Sequence, residues 1–322
     1  MNEKVCPNCQ AINRPGANFC ATCGQGLKSA SLTENDEAPT VLSGSVSSRP
    51  LPASAEPQTP DPSSFELRVG RQTHTGRVRR KNEDSLLVFD YLCANRSIAR
   101  PAGLFVVADG MGGHEGGEIA SGMLVRALAR RAVAVWLPAA IAGPEDPLDR
   151  EGWLESAIAG GNEEIFEWAL EAGMAMGTTV VAALVEGDRA IIAHVGDSRA
   201  YRVHAAGIER LTTDHSLVES LIAANQISPD EARKHPQANV IYRTIGDSPQ
   251  VVVDMIQMTL QPGEFLMLCS DGLSGMLADE IMRELVLAAK TPQAACEALI
   301  EAANRAGGED NSTVILVELK SL

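Results

Sequence analysis

The sequence predicts an α+β fold, with antiparallel sheets inside and helices packed outside, behind a small cysteine-rich module. Three observations carry this. Between residues 178 and 210 the apolar runs TTVVAALV, RAIIAHV and RAYRVH are separated only by Glu186-Gly187-Asp188 and Gly196-Asp197-Ser198, and a third turn follows at Ala205-Ala206-Gly207. Such links are too short for crossover helices, so the segment predicts an antiparallel meander. Helical patterns stand apart from it, at 118–135, 153–171, 279–289 and 292–305, and strands grouped apart from long helices define the α+β class. Further strands are expected at 104–108, 251–259, 265–269 and 313–318. The third observation is a composition break before residue 65 that sets the N-terminal part off.

Residues 6–24 read CPNCQAINRPGANFCATCG, two Cys-x-x-Cys pairs made by Cys6, Cys9, Cys20 and Cys23. No apolar signal segment precedes them, which argues against a secreted disulfide peptide and for a cytoplasmic protein. Four thiolates in two knuckles suit tetrahedral Zn²⁺, which supplies folding energy that so short a segment lacks. Residues 1–27 are read as a zinc ribbon whose site is structural, since four thiolates leave no open position. Residues 28–64 are rich in Ser, Pro, Thr and Ala without apolar periodicity, and read as a disordered linker. Residues 65–322 form one domain by size. Cys93, Cys269 and Cys296 lie singly among apolar residues and are expected to be buried small hydrophobes.

The chain has 322 residues, 45% of them hydrophobic but only 4% aromatic, so Ala, Val, Leu and Ile must build most of the core. A formal charge of −15 disfavours non-specific attraction to nucleic acid or an anionic membrane. The most apolar helical stretch, from Val125, is interrupted by Arg126, Arg130 and Arg131, so it is no membrane span. The ribbon carries little positive charge and only Phe19 as a stacking platform, which favours protein docking over nucleic acid.

The stretch FVVADGMGGHEGGE poses the functional question: phosphate cradle, metal site or surface loop. As a dinucleotide fingerprint it fails, because Glu115 occupies the third glycine position, and no lysine follows to make a phosphate loop. His114-Glu115 lacks the second histidine of a zinc protease helix. The other histidines also have plain readings. His194 is expected as a satisfied sheet residue, His215 as a loop-fixing hydrogen bonder, and His204 and His235 as exposed. Three acids share a different design. Asp109 ends the strand LFVVADG, Asp271 ends EFLMLCSDG, and Asp310 sits just before the strand of GGEDNSTVILV. Each alone is ordinary turn chemistry. Together they can converge at one end of a sheet, where oxygen-only ligands select hard cations, Mg²⁺ or Mn²⁺. In TGRVRRKNEDS, Arg79 stands just ahead of Glu83-Asp84, and an arginine beside an acidic metal site is a fork for a phosphoryl group. Acids for two metals plus that arginine point to hydrolysis of a phosphate ester.

These pieces resemble the metal-dependent serine/threonine protein phosphatases of type 2C, the PPM family, particularly its bacterial members. The likeness runs from about residue 71 to 319 through TGRVRRKNED, FVVADGMGGHEGGEIAS, MGTTVVAAL, AHVGDSRAYR, LTTDHSLV, NVIYRTIG, LMLCSDGL and GGEDNSTVILV, in family order. The resemblance implies a four-layer αββα sandwich with two central antiparallel sheets. It implies a phosphoric monoester hydrolase acting on phosphoserine and phosphothreonine in proteins, partners of a Ser/Thr kinase and its substrates. The resemblance also implies in-line attack by a hydroxide bridging two Mg²⁺ or Mn²⁺ ions. By position, Asp109 resembles the carboxylate between both ions, the Gly110 carbonyl is a ligand, and Asp271 and Asp310 resemble the remaining acids. Arg79 matches the phosphate-binding arginine, and Glu83 and Asp84 match outer-shell acids that hold waters. A flap is implied at about 214–240. The chain departs from the family at His74, where Asp is usual, and at Met111, where the animal branch has a proton-donating histidine. It also lacks an acid just ahead of Met176-Gly177-Thr178-Thr179, so a third ion is not counted; were one to bind, Asp271 would contribute. The competing reading is a binding scaffold with a degenerate phosphatase fold, docked through the ribbon. Such proteins lose an aspartate, whereas all three stand here.

Overall fold

A computed structural model describes residues 4–5, 12–13, 65–95, 98–112, 116–143, 145–232 and 235–321. The chain divides after Gln58 into two units. Described in the first are strands β1 (Lys4–Val5) and β2 (Ile12–Asn13), an antiparallel pair. The four ribbon cysteines and the linker lie outside the described residues.

The second unit is built on two antiparallel sheets. One contains, in spatial order, β10 (Gly207–Arg210), β9 (Arg199–His204), β12 (Phe265–Cys269), β13 (Ser312–Ser321) and β3 (Phe65–His74). The other runs β11 (Asp254–Thr259), β8 (Arg189–Val195), β7 (Val180–Glu186), β5 (Ile98–Gly112) and β4 (Asp84–Asn95), with β6 (Met176–Thr178) pairing the end of β5.

Period-two alternation decides which faces meet. In β5, Phe105 and Val107 point between the sheets with Val181, Ile192, Leu266, Leu268, Ile315 and Val317. Leu104, Val106 and Ala108 point outward against α1 (Gly116–Arg131) and α3 (Arg150–Ala172). On the far side, Met267, Cys269, Val314 and Leu316 pack against α7 (Asp279–Ala288) and α8 (Pro292–Ala306). The order is therefore helix, sheet, sheet, helix, with three apolar layers between. Both sheets are covered on both faces, which is why their central strands read as nearly unbroken apolar runs.

The meander expected over 178–210 is broken at one point. β7 and β8 pair with each other, and so do β9 and β10, but β8 and β9 lie in different sheets. Gly196-Asp197-Ser198 is thus a passage between sheets rather than a hairpin. A glycine is needed there: φ at Gly196 is +110°, and a side chain would meet Thr179. The short spacing made the link resemble a hairpin, because a sandwich corner and a hairpin need similar lengths. β3 and β4 were not expected; polar and charged residues dilute the alternation of β3, and the apolar run Leu86–Phe89 of β4 has no period of two. The helix expected over 118–135 is α1 followed by a π-helical turn (Ala132–Trp136) and α2 (Leu137–Ala142). There Trp136 is fully buried, stacks on Trp153 and donates to Glu186 Oε1 at 2.8 Å. Cys269 and Cys296 are buried free thiols, as expected, and burial pushes both up to about 12. No helix among the described residues is long and apolar enough to cross a membrane.

Strand β3 forms one edge of its sheet, and α8 sits directly on it. The Gln293 side chain donates to the Arg71 carbonyl and accepts from the Arg71 amide, both at 3.1 Å, so one amide satisfies the outward-facing backbone groups of Arg71 on that edge. A Cβ on Gly70 would lie 2.2 Å from the Pro292 carbonyl. Gly70→Ala is therefore expected to push α8 away and destabilise the domain by about 1–3 kcal/mol. The check is a lowered urea midpoint with an unchanged slope.

Candidate active site

Strand register brings the acids together. At one end of the second sheet Asp84 pairs directly with Asp109 across β4 and β5, and Thr179, whose amide donates to the Asp109 carbonyl, stands level with them. At the matching end of the first sheet Arg199, Cys269 and Val314 stand side by side. Asp271 follows Cys269 by two residues and opens the short helix α6 (Asp271–Ser274), Asp310 precedes β13, and Asp197 lies in the passage between sheets. Asp109, Asp271 and Asp310, singled out from sequence, do converge. Asp84, expected as an outer acid, is buried opposite Asp109 at the centre. Asp197 was missed, although it follows an apolar strand in the same way as Asp109 and Asp271.

The electrostatics follow from that crowding. Burial, then the charges of Asp84, Asp271 and Asp197, push the Asp109 carboxyl well above the ordinary carboxylate range. Burial, then Asp271 and Asp214, do the same to Asp197. Burial raises Asp271 as well, although its hydrogen bond with Asp109 opposes the shift. Asp84 is pushed up to about 7, chiefly by burial, against hydrogen bonds from Thr313 and Ser270. Asp84 Oδ1 and Asp271 Oδ1 are buried and make no hydrogen bond. Converging buried carboxylates with free oxygens fit hard divalent cations, which would take those oxygens and cancel the repulsion.

Backbone and polar side chains lock the acids in place. The Asp109 amide donates to Thr179 Oγ1 at 3.0 Å, its carbonyl accepts from Thr178 Oγ1 at 2.8 Å, and Thr179 Oγ1 meets Ser198 Oγ at 2.6 Å. The Met-Gly-Thr-Thr motif thus fixes Asp109 and ties it to the passage bearing Asp197. Ser270 Oγ donates to Asp84 Oδ2 at 2.8 Å and accepts from the Thr313 amide at 2.9 Å. Asn311, also missed from sequence, donates to the Thr75 and Lys81 carbonyls at 2.8 and 2.9 Å and accepts from the Glu83 amide at 2.8 Å. One buried amide thereby shapes the whole loop that carries Arg79. His74 supports the same loop, its Nδ1 accepting from the Gly76 amide at 2.9 Å.

Arg79 Nη2 donates to Asp310 Oδ2 at 2.6 Å and is half exposed. Glu83 is raised by burial, which outweighs the nearby Arg79. Gly110 is dictated by close approach: a Cβ would fall 2.1 Å from the Gly117 carbonyl and 2.6 Å from that of Glu83. Gly116 and Gly117 are helical residues at the start of α1, not the turn into it. Met111 follows on β5; Gly113, His114 and Glu115 lie outside the described residues.

Two histidines beside the site behave differently from each other. His215 Nδ1 accepts from the Gly196 amide at 3.0 Å and its Nε2 meets Asp254 Oδ2 at 3.2 Å, so it fixes the loop as expected. His194 is fully buried against His215 but neither ring nitrogen makes a hydrogen bond, contrary to a satisfied sheet residue. Burial, then the charge of His215, hold it down to about 3, as a neutral aromatic filler.

The geometry defines a sandwich with a cation-binding acid cluster at one end of its two sheets. Residues 82–309 match the family model for protein phosphatase 2C, and the chain belongs to that family of serine/threonine phosphatases. It is 38% identical over 250 residues to serine/threonine phosphatase stp of Listeria innocua, covering 77% of this chain and 94% of that one. Protein phosphatase PhpP of Streptococcus pneumoniae is 34% identical over 260 residues, covering 79% and 98%. Among solved structures, the Mycobacterium tuberculosis phosphatase PstP/Ppp matches with a TM-score of 0.66 at 34% identity, over 79% of this chain and 99% of that chain. A structure of the PstP catalytic domain with two manganese ions matches with a TM-score of 0.66 at 32% identity, over 80% and 100%.

Without cations the raised acids hold protons in the folded state that they release when unfolded. The stabilisation this proton uptake gives is fully present below their ordinary value of 3.8 and is lost as pH rises, through about 7 for Asp84. The metal-free protein is expected to lose stability from pH 5 to pH 8 in urea melts, and saturating Mg²⁺ or Mn²⁺ to flatten that loss. Asp109→Asn should stabilise the metal-free form and weaken the response to metal.

Proposed function

We propose that the acid cluster is a two-cation centre hydrolysing phosphoserine and phosphothreonine in proteins. The observation that carries this reading is the convergence of Asp84, Asp109, Asp271 and Asp310 with two buried carboxylate oxygens left without partners. Asp109 pairs with Asp84 across the strands and is hydrogen-bonded to Asp271, so its carboxylate would be the central ligand of such a centre. Asp271 and Asp310 complete the acids, the Gly110 carbonyl adds an oxygen, and Glu83 orders water at the margin. When bound, a pair of Mg²⁺ or Mn²⁺ ions supplies Lewis acidity toward the phosphoryl oxygens and lowers the pKa of a water at the site.

Arg79 has two tasks in this reading. It neutralises Asp310 in the metal-free state, and once that carboxylate turns to a cation its guanidinium is free to grip two phosphoryl oxygens. Met111 offers no proton, so water or another group would supply the proton to the leaving alkoxide.

Residues 1–27 are read as a ribbon holding one structural Zn²⁺ through Cys6, Cys9, Cys20 and Cys23, supported by their spacing. Its role is protein docking, with residues 28–64 as the tether and about 214–240 as a flap at the site. The setting is the cytoplasm, opposite a Ser/Thr kinase that phosphorylates the same substrates.

Hydrolysis of an aryl phosphate and of phosphothreonine peptides is expected only with Mg²⁺ or Mn²⁺ present. Asp109→Ala and Asp271→Ala should reduce kcat by about a thousandfold or more. Arg79→Ala should act mainly on KM, raising it about tenfold or more, since it removes a charge-assisted fork. A purified protein without metal-dependent turnover sinks the reading. Elemental analysis should find one zinc per chain, lost in a variant with all four ribbon cysteines changed to serine while turnover of the aryl phosphate persists.

A further inference from the structure

A cleft of about 490 Å³ opens beside the acid cluster, lined by Met111, Phe166, Ala169, Leu170, Met174 and Met176 with backbone from Gly112, Gly173 and Gly246. It is apolar, open to solvent, and unused by the chemistry described above. Leu170 on its rim is 72% exposed, an unusual place for a bare leucine. The nearest charge in its lining is Asp247.

We propose that this cleft receives an apolar side chain of the phosphoprotein substrate, two residues from the phosphoserine or phosphothreonine, and so sets sequence preference. The inference rests on the phosphatase reading of the acid cluster. Its geometric basis is strand β5. Asp109 and Met111 are two residues apart on one strand, so their side chains share a face and stand about 7 Å apart along it. With the phosphoryl group held by Arg79 and the cations over Asp109, an extended peptide running along β5 would advance by the same rise and place a side chain two positions away over Met111, which lines the cleft. The pairing of β5 with β6 fixes the floor: Met111 lies opposite Gly177, and Gly112 opposite Met176. Gly177 has no side chain to block the passage, and a Cβ there would lie 3.0 Å from the Ile245 carbonyl and 3.7 Å from Met111. Met111 is therefore what joins cleft and acids: it stands on the Asp109 face of β5 and also lines the cleft. Three methionines supply unbranched, polarizable walls that accept leucine, isoleucine or methionine without one fixed shape.

The test compares phosphothreonine peptides carrying leucine or serine at the second position before or after phosphothreonine, with the full chain and saturating Mn²⁺. At one of the two positions the leucine peptide is expected to show about tenfold higher kcat/KM, the scale of one apolar group in a pocket. Leu170→Glu and Met174→Glu should bring the ratio of leucine to serine peptide close to one, and Met174→Leu should restore it. An aryl phosphate, which has no flanking residue, reports the catalytic centre separately. If wild type hydrolyses the aryl phosphate and both peptides equally, or the glutamate variants leave the ratio unchanged, the cleft proposal is overturned while the phosphatase reading stands. If wild type hydrolyses nothing with metal, the phosphatase reading itself fails.

Discussion

Asp84 and Asp109 stand opposite one another on adjacent strands, and Asp271 and Asp197 reach the same point from the other sheet and from the passage between sheets. Two like charges 4 Å apart repel by about 4 kcal/mol at the effective dielectric of a protein surface. Whole domains are stable by only about 5–15 kcal/mol. Four ionised carboxylates in that space would therefore exhaust a large share of the stability, so protons or cations must be present. The fold makes this tolerable by rigidity. Strand ladders, the two threonines of the Met-Gly-Thr-Thr motif, Ser270 and Asn311 hold each acid where repulsion cannot spread it.

The same rigidity explains the small residues around the site. Gly110 and Gly117 bring the start of α1 onto the end of β5 at backbone contact, and any side chain there would collide with a carbonyl. Glycines that look like a phosphate cradle in the sequence are instead clearance for helix against strand. Arg79 belongs to the same design. It rests on Asp310 at the rim of the acid cluster, and that pairing holds a positive charge beside the acids.

Much of the fold was legible because alternation in β5, β12 and β13 and the 3.6-residue pattern of α3, α7 and α8 are strong local signals. Strand β3 is not legible because Arg68, Arg71 and Gln72 break its apolar rhythm, β4 because its apolar run Leu86–Phe89 does not alternate, and pairing with β13 and β5 makes them strands. Asp109, Asp271, Asp310 and Arg79 were found through short motifs that place an acid at a strand end or a cation ahead of acids. Asp197 had the same signal but was hidden by the assumption that its turn was a hairpin. Asn311 gave none, because a buried amide serving three distant backbone groups looks like any turn asparagine.

The sequence by itself determined which residues alternate, where the helices begin and end within a few positions, and that acids close the strands at Asp109, Asp271 and Asp310. Those are local properties, set by side-chain periodicity and turn chemistry between neighbours. Which strands share a sheet, that β8 and β9 part company at Gly196, and that Asp84 faces Asp109 were decided by the tertiary structure alone. Register and sheet membership depend on burying both faces of two sheets at once, and no segment contains that condition within itself. The meeting of acids from residues 84, 109, 197, 271 and 310 is its consequence.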